Sequence, residues 1–333
     1  MQVVYDGDTV SIPKQMMPDD PGMIDAKHQM QGTELEKLCE LAGRVCYDSL
    51  GNGRASSAYH KHILEVGHTS VLAHANITFD VIRLEPTEKL ALARLPGCYI
   101  NDLDECCINL RTISELDSYT WVPFGLRSNL RAMGHSIAPQ IISESGGLPF
   151  QLRDSSDEEC QWISMYLEGS RGFSHEQVRH NYRCAISQRS TRYVDESSSE
   201  WVWHPLFEAH ADEHLKAWAT TIEGSAKSLY DATVTRLQAK LLENGVDKFT
   251  ARKQARGAAR GFLGNALRTD MIFSASVAQW KRILKQRYSR HADAEIRLIY
   301  DQVFKCLRTS RYGYQFADMQ TQPCPDGMGS ELV

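Results

Sequence analysis

The sequence predicts an α+β fold, with a central sheet flanked by helices and a helical C-terminal part. Three observations carry that expectation. Ala75, Ile77, Phe79 and Val81 alternate with Asn76, Thr78 and Asp80, the period of a half-buried strand. Ile163–Leu167 reads as a second strand. The last third of the chain carries apolar stripes at helical spacing.

The elements follow in order. Pro13, Pro18 and Pro21 break any long element before residue 32. Thr33 and Glu36 form a capping box, and Leu35, Leu38, Ala42 and Val45 share one face of the helix it opens. Gly51–Gly53 reads as a loop, and a helix over about Ser57–Val66 ends at Gly67. His68, Thr69 and Ser70 then form a turn before the first strand. Prolines 86, 96, 123, 139 and 149 punctuate residues 85–163, which are expected to be a mostly helical insertion with loops. A helix from Ser174, as N-cap, to Cys184 is expected next, followed by a loop over 185–200. Leu215, Trp218, Ile222, Leu229, Leu237 and Leu241 stripe a long helix closed by Asn244-Gly245. Arg252, Arg256 and Arg260, four apart, share a face of the next helix, which ends at Gly264-Asn265. A short extended piece at Met271–Phe273 and helices near Ala278–Ser289 and Ala292–Leu307 complete the core. No internal repeat is evident, so residues 1–333 read as a single domain.

Composition excludes several classes. Of 333 residues, 42% are hydrophobic and 24% charged, an ordinary globular balance. No apolar run is long enough to cross a membrane, and the acidic start MQVVYDGDTV is unlike a secretion signal. Nine cysteines, with Cys106 and Cys107 adjacent, suit neither a disulfide framework nor a zinc site, and they read as reduced thiols of a cytoplasmic protein. The net charge of −5 is unevenly spread. Lys248–Arg297 holds twelve Lys/Arg against three Asp/Glu, and Arg171–Arg192 holds five Arg against Glu176. Asp154–Glu159 and Asp195–Glu200 are acidic. Local basic segments in an acidic chain fit small anions held at defined points better than a nucleic acid.

The densest polar cluster is Arg179–Tyr193 (RHNYRCAISQRSTRY). Arginine forks bind phosphates and planar carbonyls bidentately, and serine hydroxyls add donors. Such a cluster can hold a nucleotide phosphate and polarise a pyrimidine, or it can be a solvated loop with ion pairs. A second group is Gly67-His68-Thr69-Ser70 through His74, and a third is Arg287 with His291. Too few acidic or histidine partners accompany His291 to hold a metal. His60 and His62 read as surface residues. No phosphate-binding GxxxxGK[ST] loop and no GxGxxG after a strand occurs. Cys184 lies inside the arginine cluster but reads as a packing residue.

These groups, in this order, resemble the flavin-dependent thymidylate synthase family. The resemblance runs over LAGRVCYDS (41–49), YHKHILEVGHTSVLAHANITF (59–79), GSRGFSHEQVRH (169–180), SQRSTRYV (187–194), KQARGAAR (253–260) and KQRYSRHADAEIR (285–297). It implies a homotetramer with active sites shared between subunits and FAD held among them. It further implies NADPH as reductant, methylenetetrahydrofolate as carbon donor, and C5 methylation of dUMP or UMP with reduced FAD as hydride donor. No enzyme cysteine attacks the ring in that family. By matching position, Ser190 and Arg192 form the catalytic pair. Glu176, Gln188, Ser190, Arg192, Arg260 and Arg287 bind substrate. His68, Ser70, Arg179, His180, Arg183, Arg282 and His291 face the cofactors, and no metal is involved.

The chain departs from the family pattern in four places. Asn181 follows Arg179-His180 where the family has a third arginine, and one residue is inserted before Ser190, so Arg183 is the candidate replacement. Ala73 stands where a glutamate is usual. Ser276-Val277-Ala278 replaces the flavin-contacting N-x-R. The segment 85–163 interrupts a short connection. These departures keep two alternatives open, a nucleotide hydroxymethylase and a non-catalytic nucleotide- or RNA-binding relative.

Overall fold

The computed structural model describes residues 1–13, 30–50, 54–142 and 150–333. The expectations for Pro18, Pro21, Gly51–Gly53 and Pro149 lie outside the described residues. In chain order the elements begin with strand β1 (Gln2–Tyr5) and helices α1 (Glu34–Tyr47) and α2 (Ser56–Glu65). A 3-10 turn (Thr69–His74) leads into β2 (Asn76–Asp80). The middle region contains α3 (Pro86–Ala93), β3 (Tyr99–Ile100), β4 (Glu105–Asn109), α4 (Leu110–Ser114) and α5 (Phe124–Ile137). Then come β5 (Trp162–Ser170), α6 (Arg171–Gln177), β6 (Cys184–Gln188), α7 (Pro205–His210), α8 (Glu213–Glu243) and α9 (Lys248–Ala259). The C-terminal part is β7 (Arg268–Ser276), α10 (Val277–Arg287), α11 (Ala294–Thr309), β8 (Thr321–Pro323) and β9 (Ser330–Leu332).

The central sheet has the order β1-β5-β7-β6, antiparallel throughout. Alternate residues of its inner strands feed two cores. Ile163, Met165, Leu167, Met271, Phe273 and Ala275 pack with α10 and α11 around Trp280 and Tyr300. On the opposite face Tyr166 and Ile272 join the core built by α1, α2, β2 and the α3–α5 region. A strand buried on both faces loses the apolar–polar alternation of a surface strand. That is why β5 and β7 extend to nine residues each, beyond the shorter pieces the sequence pattern indicates.

The capping box forms as expected, with Glu36 N donating to Thr33 Oγ1 and Thr33 N to Glu36 Oε2. Helix α2 stops where Gly67 turns left-handed at φ 68°. The described part of residues 85–163 carries the expected helices but also the strands β3 and β4. β3 and β4 extend β2 into a three-stranded sheet of order β2-β4-β3.

Three local expectations are corrected. The helix after β5 starts one turn early, with Ser170 as N-cap accepting from Phe173 N. It ends at Gln177, and Cys184 instead opens β6, which pairs with β7 where a loop was expected. His60 is not a surface residue but is buried, held down to about pKa 4 by burial and by the Arg44 guanidinium. The ion pair Arg44–Glu40, 2.6 Å, lies beside it in the same layer.

The two halves of the molecule are tied by a buried polar cross-brace. His74 Nδ1 lies 2.7 Å from Ser274 Oγ, and its Nε2 lies 2.9 Å from Ser187 Oγ. Ser274 Oγ in turn donates to Ser164 Oγ at 2.6 Å. One ring therefore joins the turn before β2 to strands β5, β6 and β7. Complete burial lowers the His74 pKa from 6.5 to about 3, so the ring is neutral in the folded chain. Below about pH 6.5 the unfolded chain takes up a proton that the folded chain refuses until about pH 3. The stability this residue contributes is therefore complete above 6.5 and is lost as the pH falls through that window. His74→Ala is expected to cost roughly 2–4 kcal/mol in urea denaturation at neutral pH, since two serines lose a buried partner. The gap from wild type should narrow toward pH 4, and a constant gap would contradict the assignment.

Candidate active site

The site grows from the exit of β6. Gln188, the last residue of that strand, donates from Nε2 to Thr269 Oγ1 of β7 at 3.0 Å. The chain then turns over Ser190–Val194. Tyr193 N and Val194 N both donate to Ser190 O, and Arg192 N approaches Ser190 Oγ at 3.4 Å. Ser190 N donates to Cys46 O at the end of α1, which anchors the turn.

Helix α9 backs this turn. Ala251, Ala255 and Ala259 are buried, the last two packing against Tyr230 and Val234 of α8. The helix thereby presents Lys253 and Arg256 toward the turn, with Arg260 just past its end. Arg256 donates to Tyr193 O at 2.5 Å and pairs with Asp195 at 2.7 Å. Arg260 Nη1 reaches Thr191 Oγ1 at 3.5 Å. Arg192 is exposed, its Cγ and Nε close above Gly257. Arg192 and Arg260 thus bracket the turn with their guanidinium groups free of carboxylate partners among the described residues. Arg189, by contrast, points inward to Asp48, Glu196 and Asp270, 3.5–3.7 Å away.

Tyr193 joins the turn to an aromatic wall. Its ring meets Tyr47 edge-on at 4.9 Å and Phe249 at 6.1 Å, with Lys253 Nζ 4.9 Å above it. Tyr47 stacks on His68, and its hydroxyl lies 2.8 Å from His68 Nδ1. Burial, with the charges of Lys253 and His62, lowers the His68 pKa. Burial pushes Tyr47 up to about 12. These rings, with Tyr59, Arg44 and Arg54, line a cavity of about 510 Å3. A flat, negatively charged ligand fits such a lining.

The remaining candidate residues form two further clusters. Glu176 receives Arg287 Nη1 at 2.6 Å and Arg179 Nη1 at 3.3 Å, while Arg287 Nε donates to His180 Nε2 at 2.8 Å. Burial and the adjacent Arg287 lower the His180 pKa to about 4, against the opposing pull of Glu176. Elsewhere Glu159 holds both Arg183, Nε at 3.3 Å, and Arg282, Nη2 at 2.8 Å, and accepts from Ser276 Oγ at 3.0 Å. Arg183 lies over the Tyr99 ring at 4.8 Å and donates to Glu159 O. Ser70 and His291 are exposed.

Sequence reasoning did not single out Tyr47, Phe249, Lys253 or Glu159. The spacing of Lys253 and Arg256 beside Arg260 on α9 was the available signal. Nothing in sequence linked Glu159 to Arg183, because the two meet only through strand pairing. Cys184 is pushed to about 12, chiefly by burial, which leaves it a poor nucleophile. Among the described residues no cluster of three or more metal-ligating side chains exists, and no helix is long and apolar enough to cross a membrane.

Residues 29–85 and 153–310 match the family model described as thymidylate synthase complementing protein. The chain belongs to this family. A flavin-dependent thymidylate synthase of Mycolicibacterium gilvum (strain PYR-GCK) is 37% identical over 147 residues, 44% of this chain and 56% of that protein. This chain therefore spans little more than half the length of that relative. A second, of Mycobacterium sp. (strain JLS), is 26% identical over 299 residues, 87% of this chain and 82% of its own. A crystal structure of thymidylate synthase X from Helicobacter pylori with FAD and dUMP covers 48% of this chain and 73% of its own. Its identity of 20% and TM-score of 0.34 make that likeness too loose to position any residue.

The Glu176–His180–Arg287 cluster makes a direct prediction. Arg287→Ala removes one charge that depresses His180, so the His180 pKa should rise from about 4 toward 6.5 in an NMR pH titration of the imidazole. Glu176→Gln should move it the other way. An unchanged titration in both variants would show that burial alone sets the value.

Proposed function

We propose that this chain methylates C5 of a uracil nucleotide, dUMP or UMP, with methylenetetrahydrofolate as carbon donor and reduced FAD as hydride donor. The observation that carries the reading is the Ser190–Tyr193 turn, bracketed by Arg192 and Arg260 and walled by Tyr193, Tyr47 and His68. It sits in a chain of the thymidylate synthase complementing family whose relatives are named flavin-dependent thymidylate synthases. On this reading Ser190 and Arg192 contact the pyrimidine nucleotide. A guanidinium beside a ring carbonyl stabilises the negative charge that builds there as C5 becomes nucleophilic. Arg260 holds the phosphate, with Gln188, Glu176 and Arg287 completing the substrate contacts. The weakly nucleophilic Cys184 accords with a reaction in which no cysteine attacks the ring.

The aromatic, cationic lining around His68 fits a flavin by the chemistry of its side chains. When bound, FAD supplies the hydride that converts the transferred methylene carbon to a methyl group, and NADPH renews it. Around it this chain's own groups do simpler work. Tyr47 fixes the His68 ring, Arg54 and Lys253 offer positive charge, and the wall excludes water.

The same reading makes residues 1–333 one domain with an insertion at about 85–163, assembled as a cytoplasmic homotetramer with shared active sites. Supporting the assembly, Leu215, Trp218, Ile222, Leu229 and Leu237 of α8 are all exposed, Trp218 to 65%. A 31-residue helix that leaves such a stripe uncovered implies a second copy over it. The separation of the three residue clusters within one chain also accords with sites completed by neighbouring subunits.

A second reading has its own support. Arg183 and Arg282 are both held by Glu159, and Ser276-Val277-Ala278 stands in place of the flavin-contacting motif. These features favour a nucleotide-binding relative that no longer takes the flavin. Purified protein should settle between them. Under the leading reading it is yellow, and with FAD, NADPH and methylenetetrahydrofolate it converts dUMP or UMP to the methylated product by mass. A hydroxymethylated product would redirect the reading, and colourless protein without FAD binding would overturn it. Arg192→Ala should lower turnover at least about 100-fold while flavin absorbance persists. An equal collapse of FAD binding would assign Arg192 to the wrong ligand.

A further inference from the structure

Strand β4 carries Cys106 and Cys107 side by side, and successive residues of a strand face opposite ways. Each thiol therefore enters a different layer, and each meets another cysteine there. Cys106, in the first core, lies 3.4 Å from Cys98, sulfur to sulfur. Cys107 packs with Cys160 and Trp162 in a small separate cluster, with Tyr99 beside it. All nine cysteines are free thiols, so adjacent cysteines here serve two pairs rather than none.

The two pairs differ in surroundings. Cys106 is completely buried, and its pKa is raised well above that of a free thiol by burial and by Cys98. Cys107 instead stands opposite Thr78 in the β2–β4 ladder and packs with Cys160 and Trp162, and the Arg183 guanidinium lies 5.9 Å from the Trp162 ring. The contact with Cys160 and the Arg183 charge lower the Cys107 pKa against burial. Two thiols packed together beside a cation, one of them at a cavity wall, are a setting in which cysteine sulfur reacts. Access exists as well. Cys160 borders a cavity of about 370 Å3, open between Tyr5, Arg153, Trp162 and Arg311.

We infer that Cys107 and Cys160 form a redox-active dithiol, which a peroxide entering this cavity converts to a reversible disulfide. Cys160 sulfur attacks one peroxide oxygen, forming an S–O bond as the O–O bond breaks and hydroxide leaves. The Cys160 proton leaves with that hydroxide as water. Cys107 sulfur then displaces water from the sulfenic acid on Cys160, its proton leaving with that water, and the S–S bond closes. Two sulfurs are oxidised by one peroxide, and an added dithiol reverses the change. The consequence reaches the signature segment, because Arg183 lies over Tyr99 and beside Trp162, the two rings packed on this pair. None of these steps depends on the proposed methylation, so the two readings stand or fall separately.

The test uses the full chain, reduced, freed of reductant and exposed to hydrogen peroxide. Remaining thiols are blocked with N-ethylmaleimide in denaturant, and peptides are mapped by mass. A Cys107–Cys160 link that grows with peroxide and disappears with dithiothreitol is expected. In Cys107→Ser the sulfenic acid on Cys160 has no resolving thiol and should be captured by dimedone. Full N-ethylmaleimide labelling after peroxide, or a link confined to Cys98 and Cys106, would overturn the inference. The wild-type peptide map decides this even if the variant fails to fold.

Discussion

The buried contact of His74 with Ser274 and Ser187 is the interaction on which the rest of the molecule depends. It is the point where the helical layer of α1 and α2 is registered against the central sheet. Ser187 is the penultimate residue of β6, and the Ser190–Val194 turn begins three residues later. A neutral ring with both nitrogens satisfied fixes that strand end in the pleat, because rotating either serine away strands a buried polar atom. The turn is held again by Ser190 N on Cys46 O and by Arg256 on Tyr193 O. The candidate site is therefore rigid where the β6 exit meets α1 and α9, and open where Arg192 and Arg260 project.

Much of this was legible in the sequence, and unevenly so. The capping box of α1, the stripes of α8 and α11 and the alternation of β2 each reflect one dominant local pattern. The boundaries around β6 were not legible. Cys184, Ala185, Ile186 and Ser187 alternate too weakly to announce a strand, and their partner on β7 lies more than eighty residues away. The stripe on α8 was correctly periodic, but its period says only that one face is apolar, not that this chain covers it. Likewise the motif positions identified arginines, while their partners came from elsewhere in the fold. Glu159 belongs to an acidic stretch to which no partner was assigned from the sequence, yet it holds Arg183 and Arg282 together.

That acidic stretch changes how the basic segments are understood. The arginines of 171–192 divide between duties. Arg189 and Arg183 face inward to carboxylates, whereas Arg192 remains outside. Local charge excess in a sequence therefore overstates the positive field available to a ligand. Over the Ser190–Tyr193 turn, what remains is narrow, the guanidinium groups of Arg192 and Arg260 with Lys253 close by.

Arg183 also has a left-handed backbone, φ 48°, unusual for a residue with a long side chain. It falls where the chain carries one residue more than the family signature. In a pleated strand a single extra residue reverses the sidedness of everything after it. The left-handed kink stands just before β6, outside the ladder. Within the strand Ser187 faces His74 and Gln188 faces Thr269. A residue turned out at that point leaves the parity of the strand untouched and decides only the direction in which one arginine points.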